Sequence, residues 1–229
     1  AAIVALAAML LRRFDLRVVV HGVLDAPFGV SCARVLRELD VMPSASLAQA
    51  GEELARKSIA FLPVQLMSPA LARLLALRAR LGVETCVHRV AQALDPTHGA
   101  ATRIVLNAGE LCGAAMEALV ASIDGDALAL TWSGAQPPAT LALRPRIERF
   151  HAGQRELLFE ADAHEIAALP MPHDARGIAA IVRAIATGRA PVPVAALNLL
   201  AACLFAAGRA PDLPCAKAAA AVAGRRLAA

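Results

Sequence analysis

Ile59 to Val64 is an apolar run too short for a helix, and Pro63 near its end fixes where it must stop as a strand. This run constrains the fold most, because a strand without polar alternation has to be buried, as in a sheet covered by helices. Helix signals follow at once. Ser68 with Pro69 supplies an N-cap and a first-turn proline, Leu71, Leu74, Leu75 and Leu77 give an apolar face, and Arg80 and Gly82 mark the end. A second amphipathic helix is predicted from Thr85 through Val87, Val90, Ala91 and Leu94, stopped by Asp95-Pro96.

Similar alternation runs through the flanks. Ala1 to Phe14 reads as a helix, and Leu16 to His21 as a buried strand that turns at Gly22. Ser31 to Leu39 is predicted as a helix capped by Ser31, with Arg34 and Arg37 on one face. Ser46 to Lys57 is another, with Glu52 and Glu53 outside. Thr102 to Leu106 is a strand, Glu110 to Ile123 a helix, and Ala127 to Trp132 a strand entered through Asp124-Gly125-Asp126. Strand and helix in turn predict an α/β fold with a mainly parallel central sheet flanked by helices. Pro138 to Glu160 departs from this pattern: ATLALR, IERF and ELLFEA read as antiparallel strands, with His151-Ala152-Gly153 as a turn. Ala175 to Thr187, Pro193 to Ala207 and Leu213 to Arg226 close the chain as helices.

At 229 residues and 58% hydrophobic, the chain is long enough for one domain with a substantial core, and disorder is not expected. Five scattered cysteines in apolar surroundings predict neither a disulfide framework nor a zinc site, and fit a reduced, cytoplasmic protein. Ala1 to Leu11 is too short to span a bilayer, and Pro191 to Ala207, with Asn198 and two prolines, reads as a core helix, so no membrane partner is expected. The opening alanine, in mid-helix by this reading, leads us to expect an N-terminal truncation. The net charge of +4 comes almost wholly from arginine, which suits bidentate phosphate binding. A coding bias towards alanine and arginine accounts for it as well, so charge alone leaves an anionic partner open. With no tyrosine and one tryptophan, the stacking surface that single-strand binders use is scarce.

The strand ending Phe61-Leu62-Pro63, the helix opening at Pro69, the basic run Arg78 to Gly82 and the close at Asp95-Pro96 together resemble the anthranilate phosphoribosyltransferase group of the family-three glycosyltransferases. The resemblance extends to LLRRFDLRVVVHG near the start, and to Asn198 through Gly208-Arg209-Ala210 with a last helix at Ala216 to Gly224. The runs F-L-P and P-A-L-A-R-L-L-A-L-R and the histidine at His88 are similar to the YbiB-type branch, described as nucleic-acid binding. The resemblance implies a nucleoside phosphorylase/phosphoribosyltransferase-like catalytic domain over residues 1–229. Residues 68–96 would contribute to a small helical subdomain whose other helices precede residue 1. It also implies a homodimer.

Transfer of a phosphoribosyl group needs a glycine cradle for pyrophosphate, carboxylates for magnesium and an acceptor pocket. The family's G-T-G-G-D loop has no counterpart in the chain, and Trp132 to Pro137, where its metal-binding acids should fall, holds none. No catalytic or metal-binding residue is therefore assigned, and no cofactor; magnesium enters only if the chain is an active transferase whose phosphate loop lies before residue 1. The resemblance points to His21, Gly22, Arg78 and His88 as the remains of an acceptor or ligand pocket. In the enzymes the arginine matching Arg78 contacts the acceptor carboxylate, while an ion pair with Glu84 is the structural alternative. Lone histidines such as His21 are more often structural than catalytic. Arg73 and Arg80, two helical turns apart, share a face, and Arg78 and Arg89 flank the same cleft in this reading. With Arg144 and Arg146 these form the candidate nucleic-acid-binding set. For Arg144, Arg146 and Arg149 a solvated strand face is the competing explanation. Glu160, Asp162 and Glu165 read as an acidic, solvated turn.

Overall fold

A computed structural model describes residues 1–26, 29–82, 86–92, 94–108, 118, 125–132, 141, 143–162 and 171–228. The chain divides into two compact units, one made of Ala1–Leu94 with Met171–Thr187, the other of Asp95–Pro170 with Gly188–Ala229.

The first unit runs α1 (Ala2–Leu11), a 3-10 turn (Arg12–Phe14), β1 (Val18–Gly22), α2 (Cys32–Glu38), α3 (Leu47–Lys57), β2 (Ile59–Pro63), α4 (Val64–Met67), α5 (Pro69–Ala76), α6 (Arg78–Leu81), α7 (Cys86–Gln92) and α8 (Ala175–Ala186). β1 and β2 pair in parallel, with Val20 opposite Phe61 and Gly22 opposite Pro63. All five residues of β2 are buried, which is why the run is apolar at every position. Pro63, which lacks an N–H, sits at its last place. The capping serines act as expected: Ser31 accepts from the Arg34 N–H, Ser46 from Gln49 and Ser68 from Leu71. α8 returns from far along the chain to pack on α1 and α2, burying Val182 and Ile185. Its closing carbonyl at Ala186 accepts from the Arg13 guanidinium at 2.8 Å, and its own Arg183 donates to the Glu38 carbonyl at the end of α2.

Two expectations change here. Glu53 faces inward: its carboxylate accepts from the Ser44 hydroxyl at 2.7 Å and from the Gln49 amide at 3.0 Å. The cause is the segment before α3. Pro43 bridges Phe61 and the Ser44 N–H bonds to the Phe61 carbonyl at 3.0 Å, so a hydroxyl is carried onto the inner face of α3 and satisfies a buried carboxylate. The helix predicted after Ser68 is also split at Leu77, whose N–H bonds back to Leu74 in a tightened turn. Of its leucines only Leu75 is buried; Leu74, Leu77 and Leu81 are 49%, 40% and 57% exposed, so they form an uncovered apolar stripe among the described residues.

The second unit holds β3 (Arg103–Ala108), β4 (Ala127–Trp132), β5 (Arg146–His151), β6 (Gln154–Phe159), α9 (Val194–Ala206) and α10 (Leu213–Ala228). The sheet order is β3-β4-β5-β6, with the first pair parallel and the other two antiparallel. Val105, Ala127 and Phe150 pack at its centre. The β5–β6 hairpin turns through Ala152 (φ 50°) and Gly153 (φ 74°), a two-residue loop with both residues left-handed, as a type I′ turn requires. Asp95 makes the stop before β3 into a closed turn, accepting from the Thr97 N–H at 2.8 Å and the Thr97 hydroxyl at 2.6 Å. α9 is apolar all round and is buried against α10, β4 and β5, the core helix expected. The predicted strand ATLALR is described only in part, and there Arg144 makes an isolated bridge to Asp162 without a ladder. The predicted helix over 110–123 lies outside the described residues except at 118. The α/β fold expected from the sequence is what the chain adopts, with one parallel and one mixed sheet, each with helices packed on it.

Candidate functional site

In the first unit the parallel pairing sets His21 opposite Leu62 and Gly22 opposite Pro63, so both strands end at the same edge. The carboxyl edge of parallel strands is where α/β folds place ligands, because the chain leaves the sheet there and exposes loop backbone. α4 begins directly after Pro63 and packs on β2 and α5, and α7 packs on α5. The acceptor-pocket candidates are thus a strand end (His21, Gly22), the first residue of α6 (Arg78) and a residue of α7 (His88). His21, Arg78 and His88 are half-buried, and each is engaged by other groups of the chain. Arg89 also lies on α7. Arg73 on α5 and Arg80 on α6 are exposed and hold no ion pair among the described residues.

The candidates of the second unit are in a different state. Arg144 pairs with Asp162, and Arg146 is held between Glu148 and Glu160, at 3.0 Å from each. The bond to Glu148 raises the Arg146 guanidinium above its already high pKa. Arg103, Arg149 and Arg155 reach Asp95, Asp126 and Glu148 at 3.8, 3.1 and 2.8 Å. Neither a bare cationic stripe nor an unpartnered solvated face results, and the acidic turn predicted at Glu160 and Asp162 supplies two of the partners. Glu148, at 5% exposure, is the buried centre of this cluster. Burial alone would raise the Asp126 carboxyl, but hydrogen bonds from His151 and Arg149 hold it below the usual carboxylate range.

Counted by unit, the first has 13 Lys and Arg against 8 Asp and Glu, a surplus of 5, and the second 10 against 11, a deficit of 1. The whole positive balance of the chain therefore belongs to the first unit.

Burial pushes the Cys32 thiol up to about 11 and Cys203 to about 12, far from a thiolate at neutral pH. Cys215 is exposed in the first turn of α10, where its bond to Asp212 raises the thiol pKa. No three His, Cys, Asp or Glu side chains converge to hold a cation among the described residues. Residues 133–137, where the resemblance places the magnesium carboxylates, lie outside them.

A feature the sequence reading passed over is a cleft of about 340 Å³ in the second unit, with Arg144, Phe159, Asn198 and Lys217 around a floor that includes Leu197 and Ala201. The only signal was the lone lysine, Lys217, in an otherwise alanine-rich closing helix.

No family model matches the chain. It is 28% identical over 208 residues to "Uncharacterized protein YbiB" of Escherichia coli strain K12, a match covering 90% of this chain and 65% of that protein. The chain thus spans about 65% of the length of that curated relative. Among solved structures, anthranilate phosphoribosyltransferase (TrpD) from Thermus thermophilus superposes with a TM-score of 0.70 at 23% identity, over 99% of this chain and 68% of that one. A variant of the Saccharomyces cerevisiae enzyme in complex with 4-fluoroanthranilate gives 0.63 at 13% identity, over 99% and 64%. These likenesses show that the chain has the anthranilate phosphoribosyltransferase fold. Among the described residues no helix is long and apolar enough to cross a membrane.

Proposed function

We propose that the chain uses an anthranilate phosphoribosyltransferase-like fold to bind nucleic acid, contacting phosphates through Arg73, Arg78, Arg80 and Arg89, without transferase activity. The observation that carries this reading is the division of charge. The positive surplus sits in the unit that holds these four arginines, and Arg73 and Arg80 stand exposed with no carboxylate among the described residues. Arg144 and Arg146 take no part, because their carboxylates already neutralise them. His21 and Gly22 remain as a vestigial pocket edge. The loss of chemistry rests on Trp132 to Pro137, which offers magnesium no acid. In this reading the protein is cytoplasmic and homodimeric.

The test is fluorescence anisotropy with single-stranded DNA and RNA oligonucleotides across a salt series. With so few aromatic side chains, affinity should be mainly electrostatic, and log K against log salt should fall with a slope of about −0.7 per phosphate contact. Binding that is absent or flat in salt ends this reading. Turnover of phosphoribosyl pyrophosphate by the chain would favour the other use of the same fold, an active transferase.

A further inference from the structure

The cleft in the second unit is walled by β6 at Phe159, by α9 and by α10, with Arg144 at its rim. Its floor is mainly apolar, and two polar side chains, Lys217 and Asn198, line it with bonding capacity left over. Lys217 has no carboxylate among the described residues; its ammonium lies 4.6 Å from the centre of the Phe159 ring. That contact holds a flexible side chain in place without neutralising it. The Asn198 carboxamide makes no hydrogen bond among the described residues. The Arg144 guanidinium at the rim is balanced by Asp162.

We propose that this cleft binds a small organic carboxylate with a compact apolar body. The charge decides between anions. Arg144 and Asp162 cancel, so Lys217 contributes one uncompensated positive charge, which a monocarboxylate matches and a phosphate dianion exceeds. The floor points the same way: Leu197 and Ala201 reward an aliphatic or aromatic body and cannot replace the hydration of a second anionic oxygen pair. The carboxylate lies towards the Lys217 ammonium, and Asn198 orients it. The volume, about 340 Å³, is at the small end for ligand sites, so the body is short. This site lies in the second unit and does not depend on the nucleic-acid reading.

The experiment is a titration of the full chain, labelled with 15N, with sodium hexanoate, using hexan-1-ol and inorganic phosphate as controls. Saturable shifts at the amides of Lys217, Ala220 and Ala221 are expected with hexanoate, at least tenfold weaker with hexan-1-ol and absent with phosphate. Lys217→Gln should weaken hexanoate at least tenfold while Lys217→Arg retains it, and both should leave the far-ultraviolet circular dichroism unchanged. Leu197→Trp, which fills the floor, should block hexanoate and hexan-1-ol together. The proposal is overturned if hexanoate gives no saturable shift, if hexan-1-ol binds equally well, if phosphate competes, or if Lys217→Gln has no effect.

Discussion

The four-stranded sheet of the second unit and the helices α5 and α6 of the first hold their arginines in different ways. In the second, every arginine between residues 95 and 170 meets a carboxylate, several through a register that sets acid and base on neighbouring strands. In the first, the ion pairs of Arg34 with Asp25 at 3.6 Å and of Arg183 with Asp40 at 3.9 Å are exposed. Such exposed pairs contribute little, typically below about 1 kcal/mol. The arginines of the four-stranded sheet are therefore structural, tying strands together, whereas Arg73 and Arg80 in the first unit stand exposed with no ion pair among the described residues. A count of arginines along the sequence cannot see that difference; only their carboxylates reveal it.

Charge reversal breaks the comparison most directly. Arg73→Glu with Arg80→Glu should weaken oligonucleotide binding roughly 10- to 100-fold and flatten the salt slope by about two contacts' worth, with little change in stability. Arg146→Glu should do the opposite, leaving affinity within about twofold while lowering the melting temperature. If both variants lose affinity equally, the division of labour between the units is wrong. Next in size is Glu148→Ala. It strands Arg155 and leaves Arg146 with Glu160 alone; both are half-exposed and can turn to water, so a loss of about 1–3 kcal/mol is expected rather than the full cost of a buried charge. Thermal denaturation with and without the substitution measures it.

What could be read in advance follows the range of the interactions. Ser31, Ser46 and Ser68 cap the helices expected of them because a cap is decided within three residues. β4 begins and ends where its apolar run does, and Ala152-Gly153 announces its own turn. Glu53 was misplaced because its burial depends on Ser44 being pinned to β2, a tertiary fact. The Arg149–Asp126 pair joins residues 23 apart through an antiparallel register no local pattern encodes. The candidate pocket was legible only as positions: His21 and Gly22 do close a strand, but which groups engage Arg78 and His88 is settled by packing. The cleft at Lys217 needed three elements from distant parts of the chain.

Acid sharpens the contrast further. Burial raises Asp95, but its bonds from Thr97 and Gly99 and the charge of Arg103 outweigh this, so its folded pKa lies below the usual value, as does that of Asp126. A depressed folded pKa contributes stability that is complete above the unfolded value, near 3.9, and is lost as pH falls through the folded one. The second unit should therefore loosen below about pH 4. Amide hydrogen exchange at about pH 3 should show β3 and β4 opening more readily than β1 and β2. Asp95→Asn with Asp126→Asn should flatten the acid limb of the stability profile, at a cost near neutral pH of about 1–2 kcal/mol.

The smallest effects test whether the two units are also separate in folding. Each contains a non-glycine residue in the left-handed region at a turn: Ser58 (φ 58°) at the end of α3, where its N–H bonds to the Leu54 carbonyl, and Ala152 (φ 50°) in the β5–β6 hairpin. A left-handed residue with a Cβ costs roughly 1 kcal/mol, which glycine avoids and asparagine reduces. Ser58→Gly and Ala152→Asn should each stabilise by about 0.5–1 kcal/mol, or a melting-temperature rise of about 1–4 °C in a chain of this size. If the units unfold together, both substitutions move one calorimetric transition and their effects add. If they unfold apart, Ser58→Gly shifts only the transition that exposes β1 and β2, and Ala152→Asn only the one that exposes the four-stranded sheet. Separate transitions would mean that the arginine-paired sheet stabilises itself alone, leaving the cationic unit free to vary its surface without loss to its neighbour.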